Sequence, residues 1–362
     1  SRMHSMHGQR RTTSSKSESG TAGAQKNSGR SRIFVKTFCV KAMDPARTQT
    51  DRKREEEIMK KNKRKLARYL PLYLMALPGM VYLIINNYMP LPGLVLAFKK
   101  YSAKKGIFGS KFVGLKNFKY LFATKDAFII TRNTLLYNVA FIIVNTILAV
   151  FVAIILSELT SRAKKFYQSM ILLPYMISMV IVSYLVFGFL STDNGFINNT
   201  ILKALGKDPI SWYLEPKYWP FILIFVSAWK GVGYNCIIYL ATILGIDRSI
   251  YESAAIDGAS KWQQITKITI PLLKPTIIML TMLAIGRIFY SDFGLFYQVP
   301  QNSGALFGVT NTIDTYVYRG LLELGDMSMS SAAGLYQSLV GFVLVLGSNL
   351  LAKKIDPEYA LF

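Results

Sequence analysis

The chain reads as long apolar runs separated by short charged segments. Thirty residues without a charge separate Arg68 from Lys99. Uncharged runs of 25, 27 and 26 residues follow between Arg132 and Glu158, Lys165 and Asp193, and Asp326 and Lys353. A helix needs about 20 apolar residues to cross a bilayer, so each run predicts a membrane span. Two further apolar segments are interrupted by charge. Lys230 divides uncharged stretches of 12 and 16 residues, and Arg287 and Asp292 sit inside another apolar segment. The pattern predicts six spans at roughly 70–90, 134–157, 168–190, 219–244, 273–296 and 330–352. Pro78-Gly79 and Pro174 fall within spans, where neighbouring helices can satisfy the freed backbone groups. The aromatic stretch from Phe112 to Phe122 predicts a short interfacial helix in the first outer loop. The expected fold class is an all-α membrane protein with six transmembrane helices and both termini on one side.

Composition sharpens this. Hydrophobic residues make up 51% of the chain and charged residues 17%. Soluble domains carry about a quarter charged residues, so a soluble enzyme is excluded. The net charge of +23 is concentrated at the start, where residues 1–68 hold 19 Lys and Arg against 6 Asp and Glu. Residues 1–58 are polar and low in apolar periodicity, which predicts a disordered basic tail. The basic run Lys60–Arg68 abuts the first span, as expected of a cytoplasmic leader on an anionic membrane surface rather than a nucleic-acid partner. The sequence opens on Ser. Met59, beginning Met-Lys-Lys-Asn-Lys-Arg-Lys, is a plausible natural start, which would make residues 1–58 non-native and leave 59–362 as the membrane domain. No signal peptide is expected, because no small-residue cleavage site follows the basic segment. Cys39 and Cys236 offer neither a disulfide framework nor a zinc spacing.

The segment 247–275 is polar and lies between spans four and five. Ser249 with Glu252, and Ser260 with Gln263, have capping-box spacing. Gly258 lies between them, where a residue without Cβ turns at least cost. Two short helices with a bend are expected, closed by Pro271 and Pro275, which open the next span. A capped helix pair held against a membrane is a docking surface for a cytosolic partner.

This segment resembles the EAA loop of permease subunits of bacterial binding-protein-dependent ABC importers. Glu252-Ser253-Ala254 leads through Asp257 to Gly258 and Ala259. Nine residues then separate Gly258 from Ile268, and Ile270-Pro271 follows. Ser253 for Ala and Ile270 for Leu are the departures from the pattern. Leu77-Pro78-Gly79, Tyr88-Met89-Pro90, Ala97-Phe98, Phe112–Phe118, Leu173-Pro174-Tyr175, Gly195-Phe196-Ile197-Asn198 and Tyr359-Ala360-Leu361-Phe362 are similar to the carbohydrate subgroup, in particular its polysaccharide-permease branch in Firmicutes. The resemblance covers nearly all of residues 69–362.

It implies that Glu252, Ser253, Ala254, Asp257, Gly258, Ala259, Ile268 and Pro271 form a cytoplasmic coupling loop. Glu252 would ion-pair in a cleft of an ATPase, with local helix capping as the alternative use of its carboxylate. Both termini are then cytoplasmic, in the bacterial cell membrane. The implied partners are a second homologous permease subunit, cytosolic ATPase subunits, an extracellular lipid-anchored solute-binding protein, membrane lipid and a saccharide. No cofactor is expected on this chain. ATP and Mg belong to the partner ATPase, since no Gly-x-x-x-x-Gly-Lys-Ser/Thr occurs here.

Ionisable residues at membrane depth are costly and face water or the protein interior. Lys230, Arg287 and Asp292 qualify, as lining of a substrate pathway or as packing ion pairs. Their aromatic neighbours include Tyr234, Phe289, Tyr290, Phe293 and Tyr297. On a continuous helix Gly286, Phe289, Tyr290, Phe293 and Tyr297 would share one face. Sugar rings stack on such rings, although ordinary packing explains most aromatics in a span. Asn86, Asn138, Asn145 and Asn235 are expected as interhelical hydrogen-bond glue. An ion-coupled transporter would want acidic residues at midplane, where only Asp292 is available. A membrane-embedded enzyme would want a His or acidic cluster, and both His residues lie in the tail. Within the importer reading, a peptide or other solute is the alternative cargo.

Overall fold

The computed structural model describes residues 69–355. The expected tail, the Met59 start and the closing Tyr359–Phe362 sequence lie outside the described residues. The chain divides into two units, residues 1–82 and 83–362. In the first, residues 69–82 are helical with exposed side chains and begin α1, which runs over 69–83. Helical structure broken by a turn at Met89-Pro90 continues to Phe98, and Tyr69–Phe98 is long and apolar enough to cross a membrane.

In the second unit, a two-residue antiparallel hairpin pairs β1 (Lys99–Lys100) with β2 (Lys111–Phe112). The helix expected in the aromatic stretch is α2, Lys116–Ala123. Next come α3 (Lys125–Glu158), α4 (Ser161–Met176), α5 (Met179–Leu190) and α6 (Trp219–Leu244). The short α7 (Arg248–Ile256), then α8 (Lys261–Ile285), α9 (Ile313–Tyr318) and α10 (Met327–Ile355) complete the chain. Among the described residues five helices are long and apolar enough to span, or six if the bent pair α4 and α5 counts as one. The molecule is an all-α membrane protein, as its apolar runs predict.

Helix α3 is the central strut. At 34 residues it is about 50 Å long, more than the hydrocarbon core needs. It packs along α6, and Tyr137 of α3 joins Trp219, Leu223 and Val226 of α6 in a core that includes Val182 and Phe296. A second core lies further along the same pair, where Ala149 and Ala153 meet Cys236, Tyr239 and Leu240. Only 17% of the most apolar window of α3 is buried within the chain. So much exposed apolar surface on one helix is stable against lipid or further protein, not water. Close approach between α4 and α6 depends on Gly233, where an added Cβ would run into the Ile171 carbonyl.

Two spans depart from the expected pattern. The third is not straight, since α4 and α5 meet at 93° around Ile177-Ser178. Pro174 lies in the last turn of α4 and lacks an N–H, while Ser178 caps α5 by accepting from the Ile181 amide. The fifth ends at Ile285 rather than near residue 296. Turn structure covers 286–289, and a wide helical turn resumes only at Gly294–Gln298. The expected aromatic face through 286, 289, 290, 293 and 297 is therefore not a face of one helix.

Candidate functional site

At one end of the bundle α6 leads into the segment 247–275. Asp247 caps α7, its Oδ1 accepting from the Ser249 amide at 3.0 Å. That hydrogen bond holds the Asp247 carboxyl below its ordinary range. The cap expected at Ser249 thus lies two residues earlier, and Ser249 is already helical. The far end of α7 closes as predicted at Gly258. Its φ is +80°, and the Ala259 and Gly258 amides donate to Ala254 and Ala255 carbonyls at 2.8 and 3.1 Å. This is the Schellman arrangement, in which a left-handed residue turns the chain off the helix. Ser260 and Gln263 form the reciprocal capping box expected of them and start α8.

Pro271 does not end this second helix. A wide turn over Ile265–Thr269 widens the backbone just before the ring, and the helix runs from Lys261 through Pro275 to Ile285. The capping box that follows the Gly258 turn and the fifth span therefore belong to one helix. Tyr251 Oη and Thr269 Oγ1 lie 2.9 Å apart and tie α7 to it. Lys261 pairs with Glu158 at 3.0 Å, linking it to the end of α3. Glu252, Ser253, Asp257, Gly258 and Pro271 are exposed, whereas Ala254, Ala259 and Ile268 are half-buried. Ile256 (87% exposed) and Trp262 (72%) flank the turn. These two large apolar side chains on a polar tip were not singled out from the sequence, and their position between two caps is the signal that marks them.

The second group of predicted residues divides in three. Lys230 is half-buried, and its ammonium donates to the carbonyls of Ile177, Tyr175 and Pro174 at 2.5, 3.0 and 3.4 Å. It thereby caps the broken end of α4, and beside it Tyr234 stacks on Tyr175 at 4.8 Å. Phe289 is turned into a core with Leu121, Ile130 and Ile313. Phe293 stacks on Tyr297 at 4.9 Å, and both meet Tyr318. Tyr297 donates to Glu323 at 2.9 Å, and Asp292 accepts from the Leu295 amide at 3.2 Å. Among the described residues Arg287 and Asp292 form no ion pair.

Arg287 and Tyr290 instead line a cavity of about 260 Å³ among α3, α6 and α8, walled by Asn138, Asn145, Asn235 and Tyr239. Asn138 does act as glue, donating to Thr134 and Tyr290 carbonyls at 2.8 and 3.0 Å. Asn145 reaches Ser227 of α6 at 3.5 Å. The Asn235 side chain makes no hydrogen bond among the described residues.

A polar seam that sequence reasoning missed fixes the segment after α8. Asp314 of α9 accepts from the Ser291 amide and hydroxyl, both at 2.7 Å, and from Gln337 of α10 at 3.1 Å. Arg319 is buried, hydrogen-bonded to Asn302, Asn311 and Thr315, with its guanidinium 4.0 Å from the Phe307 ring centre. The density of Thr and Asn over 310–315 was the available signal, because such residues cap short helices and bond to nearby backbone. Among the described residues no group of three or more His, Cys, Asp or Glu could hold a metal ion.

A helical membrane protein with an exposed capped turn at one end and a polar cavity among its long helices fits the transport class. The chain belongs to the family described as binding-protein-dependent transport system inner membrane component, which it matches over residues 127–357. It is 36% identical over 307 residues to the polygalacturonan/rhamnogalacturonan transport system permease protein YteP of Bacillus subtilis (strain 168), covering 83% of this chain and 95% of that one. Its fold matches the crystal structure of a bacterial ABC transporter involved in the import of the acidic polysaccharide alginate. The TM-score is 0.73 at 31% identity, covering 82% of this chain and 99% of that chain. A second structure, of the bacterial alginate ABC transporter with an alginate pentasaccharide-bound periplasmic protein, matches with a TM-score of 0.72 at 32% identity, covering 81% and 97%.

Proposed function

We propose that this chain is the permease subunit of an ATP-driven importer for an oligo- or polysaccharide and forms half of the translocation path. The observation that carries this is the continuity of α8. Its first turn follows the Gly258 bend, and its last leads directly to Arg287 and Tyr290 in the cavity. A displacement of the exposed turn would pass along α8, through the wide turn at Ile265–Thr269, to the cavity wall.

In this reading Glu252, Ser253, Ala254, Asp257, Gly258, Ala259, Ile268 and Pro271 form the coupling element, with the turn and both termini in the cytosol. Ile256 and Trp262 are apolar anchors and Glu252 the charged contact to an ATPase subunit, which binds ATP and Mg. A second permease subunit covers the exposed apolar faces and closes the path. A lipid-anchored binding protein delivers the glycan from outside. Closure of the ATPases selects one of two packings of the bundle, and the cavity changes face. The saccharide assignment is supported by the names of YteP and the alginate transporter.

The test is copurification of the membrane complex followed by ATP-dependent uptake of labelled glycans into proteoliposomes. An ATPase subunit and a second permease should copurify, and uptake should require both ATP and the binding protein. Copurification without an ATPase, or uptake driven by an ion gradient alone, would overturn the reading.

A further inference from the structure

Four cations in or beside the long helices have different fates. Lys230 is satisfied by three carbonyls. Arg319 is buried against Asn302, Asn311, Thr315 and the Phe307 ring. Arg132 donates to Asn133 and to the Gly308 carbonyl. Arg287 alone of these four has neither an ion pair nor a side-chain hydrogen bond among the described residues. Arg287 is exposed and lines the polar cavity, whose walls include no carboxylate, so no acidic side chain there offsets its charge.

The remaining walls point the same way. Asn145 Oδ1 is buried with no hydrogen-bond partner. A buried acceptor left unsatisfied costs free energy unless a donor arrives. Asn235 also has an amide to spare. Tyr290, beside Arg287, is exposed and lines the same cavity. The cavity thus offers a planar fork of donors for an anion, amides for hydroxyl groups and an aromatic face for an apolar ring face. A guanidinium recognises a carboxylate through two parallel hydrogen bonds, which a lone hydroxyl cannot match.

We infer that this cavity is a uronate subsite, in which Arg287 pairs with the carboxylate of an acidic sugar residue in transit while Asn145 and Asn235 take its hydroxyls. This rests on the saccharide reading above and makes it specific. It assigns Arg287 to selectivity, and it separates Arg287 from Lys230, whose charge is committed to the backbone.

The experiment uses the complete transporter in lipid nanodiscs and two labelled trisaccharides. One is an oligogalacturonide and the other its carboxyl-reduced neutral counterpart. Wild type should bind the acidic probe at least tenfold more tightly. Arg287→Gln should bring the two affinities within about twofold of each other, while Arg287→Lys keeps part of the preference. The ratio of affinities within one variant is independent of how much complex assembles. Should Arg287→Gln not assemble, the reduced preference of Arg287→Lys carries the test. Equal binding of both probes by wild type, or an undiminished preference in the variants, overturns the uronate subsite and leaves the saccharide reading standing. Wild type that neither binds nor imports either probe overturns both.

Discussion

The ammonium of Lys230 on α6 donates to the Ile177 carbonyl at 2.5 Å, in the joint where α4 and α5 bend by 93°. The last carbonyls of a helix have no partner of their own, and at a bend inside a membrane no bulk water replaces it. One side chain from a neighbouring helix therefore holds a joint that the local sequence leaves open.

Replacing Lys230 by Met should leave those carbonyls unsatisfied at a cost of about 1–3 kcal/mol. We expect a lower melting temperature for the detergent-solubilised complex and reduced uptake. Lys230→Arg, which keeps donors in place, should retain most of both. A Met variant that melts and transports like wild type would mean that the bend is held by packing alone.

Gly258 has φ +80°, where a Cβ is costly. Gly258→Ala should strain the turn by about 1–2 kcal/mol and weaken copurification of the ATPase, and Gly258→Pro should abolish it. Glu252→Lys reverses an exposed charge without touching the turn, so its effect should be confined to docking. All three should still insert into the membrane. Normal uptake with full ATPase recovery in Gly258→Pro and Glu252→Lys would remove the docking assignment.

Much of this end of the chain was legible. The Ser260–Gln263 box and the Gly258 turn are local devices, decided by residues a few positions apart. The first cap was misplaced by two residues because Asp247, like Ser249, is a good cap, and the exit of α6 decides between them. Length and apolarity identified the spans, but not the bend in the third or the early end of the fifth. Those depend on partners distant in sequence, Lys230 for the bend and Asp314 with Gln337 for the end of α8. Periodicity placed Phe289 and Tyr290 on one face only by assuming a helix that stops at Ile285.

Asp247 gives a dependence on pH. Its carboxyl is held below the ordinary range by the Ser249 amide, so the cap stabilises α7 at neutral pH. That contribution is complete above the unfolded value and disappears as pH falls through the lowered folded value. Asp247→Ala should therefore loosen α7 at neutral pH, read as faster amide exchange over 249–252 after correction for intrinsic rates. The difference from wild type should vanish in acid. A gap that persists unchanged below the carboxylate range would show that the cap works without its charge.

Phe289 and Tyr290 are adjacent, yet the structure predicts opposite outcomes for them. Phe289 is 2% exposed and packed in a core with Leu121, Ile130 and Ile313, with the Tyr336 ring 6.0 Å away. Truncation to Ala would open a cavity among elements that include α2, α3 and α9, at a cost of about 3–5 kcal/mol. We expect Phe289→Ala to lower complex yield and melting temperature, with transport lost in proportion. Tyr290 is 48% exposed, and its carbonyl, not its ring, is held by Asn138. Tyr290→Ala removes the ring from the cavity and leaves that hydrogen bond in place. Yield, melting temperature and basal ATP hydrolysis should stay near wild type while glycan uptake falls severalfold. Phe293 is the intermediate case, since its ring stacks on Tyr297 and touches Tyr318. Phe293→Ala should lose some stability as well as transport. Measuring yield, melting and uptake on the same preparations separates the three. If Tyr290→Ala imports glycan at the wild-type rate, the cavity beside Arg287 is not on the path.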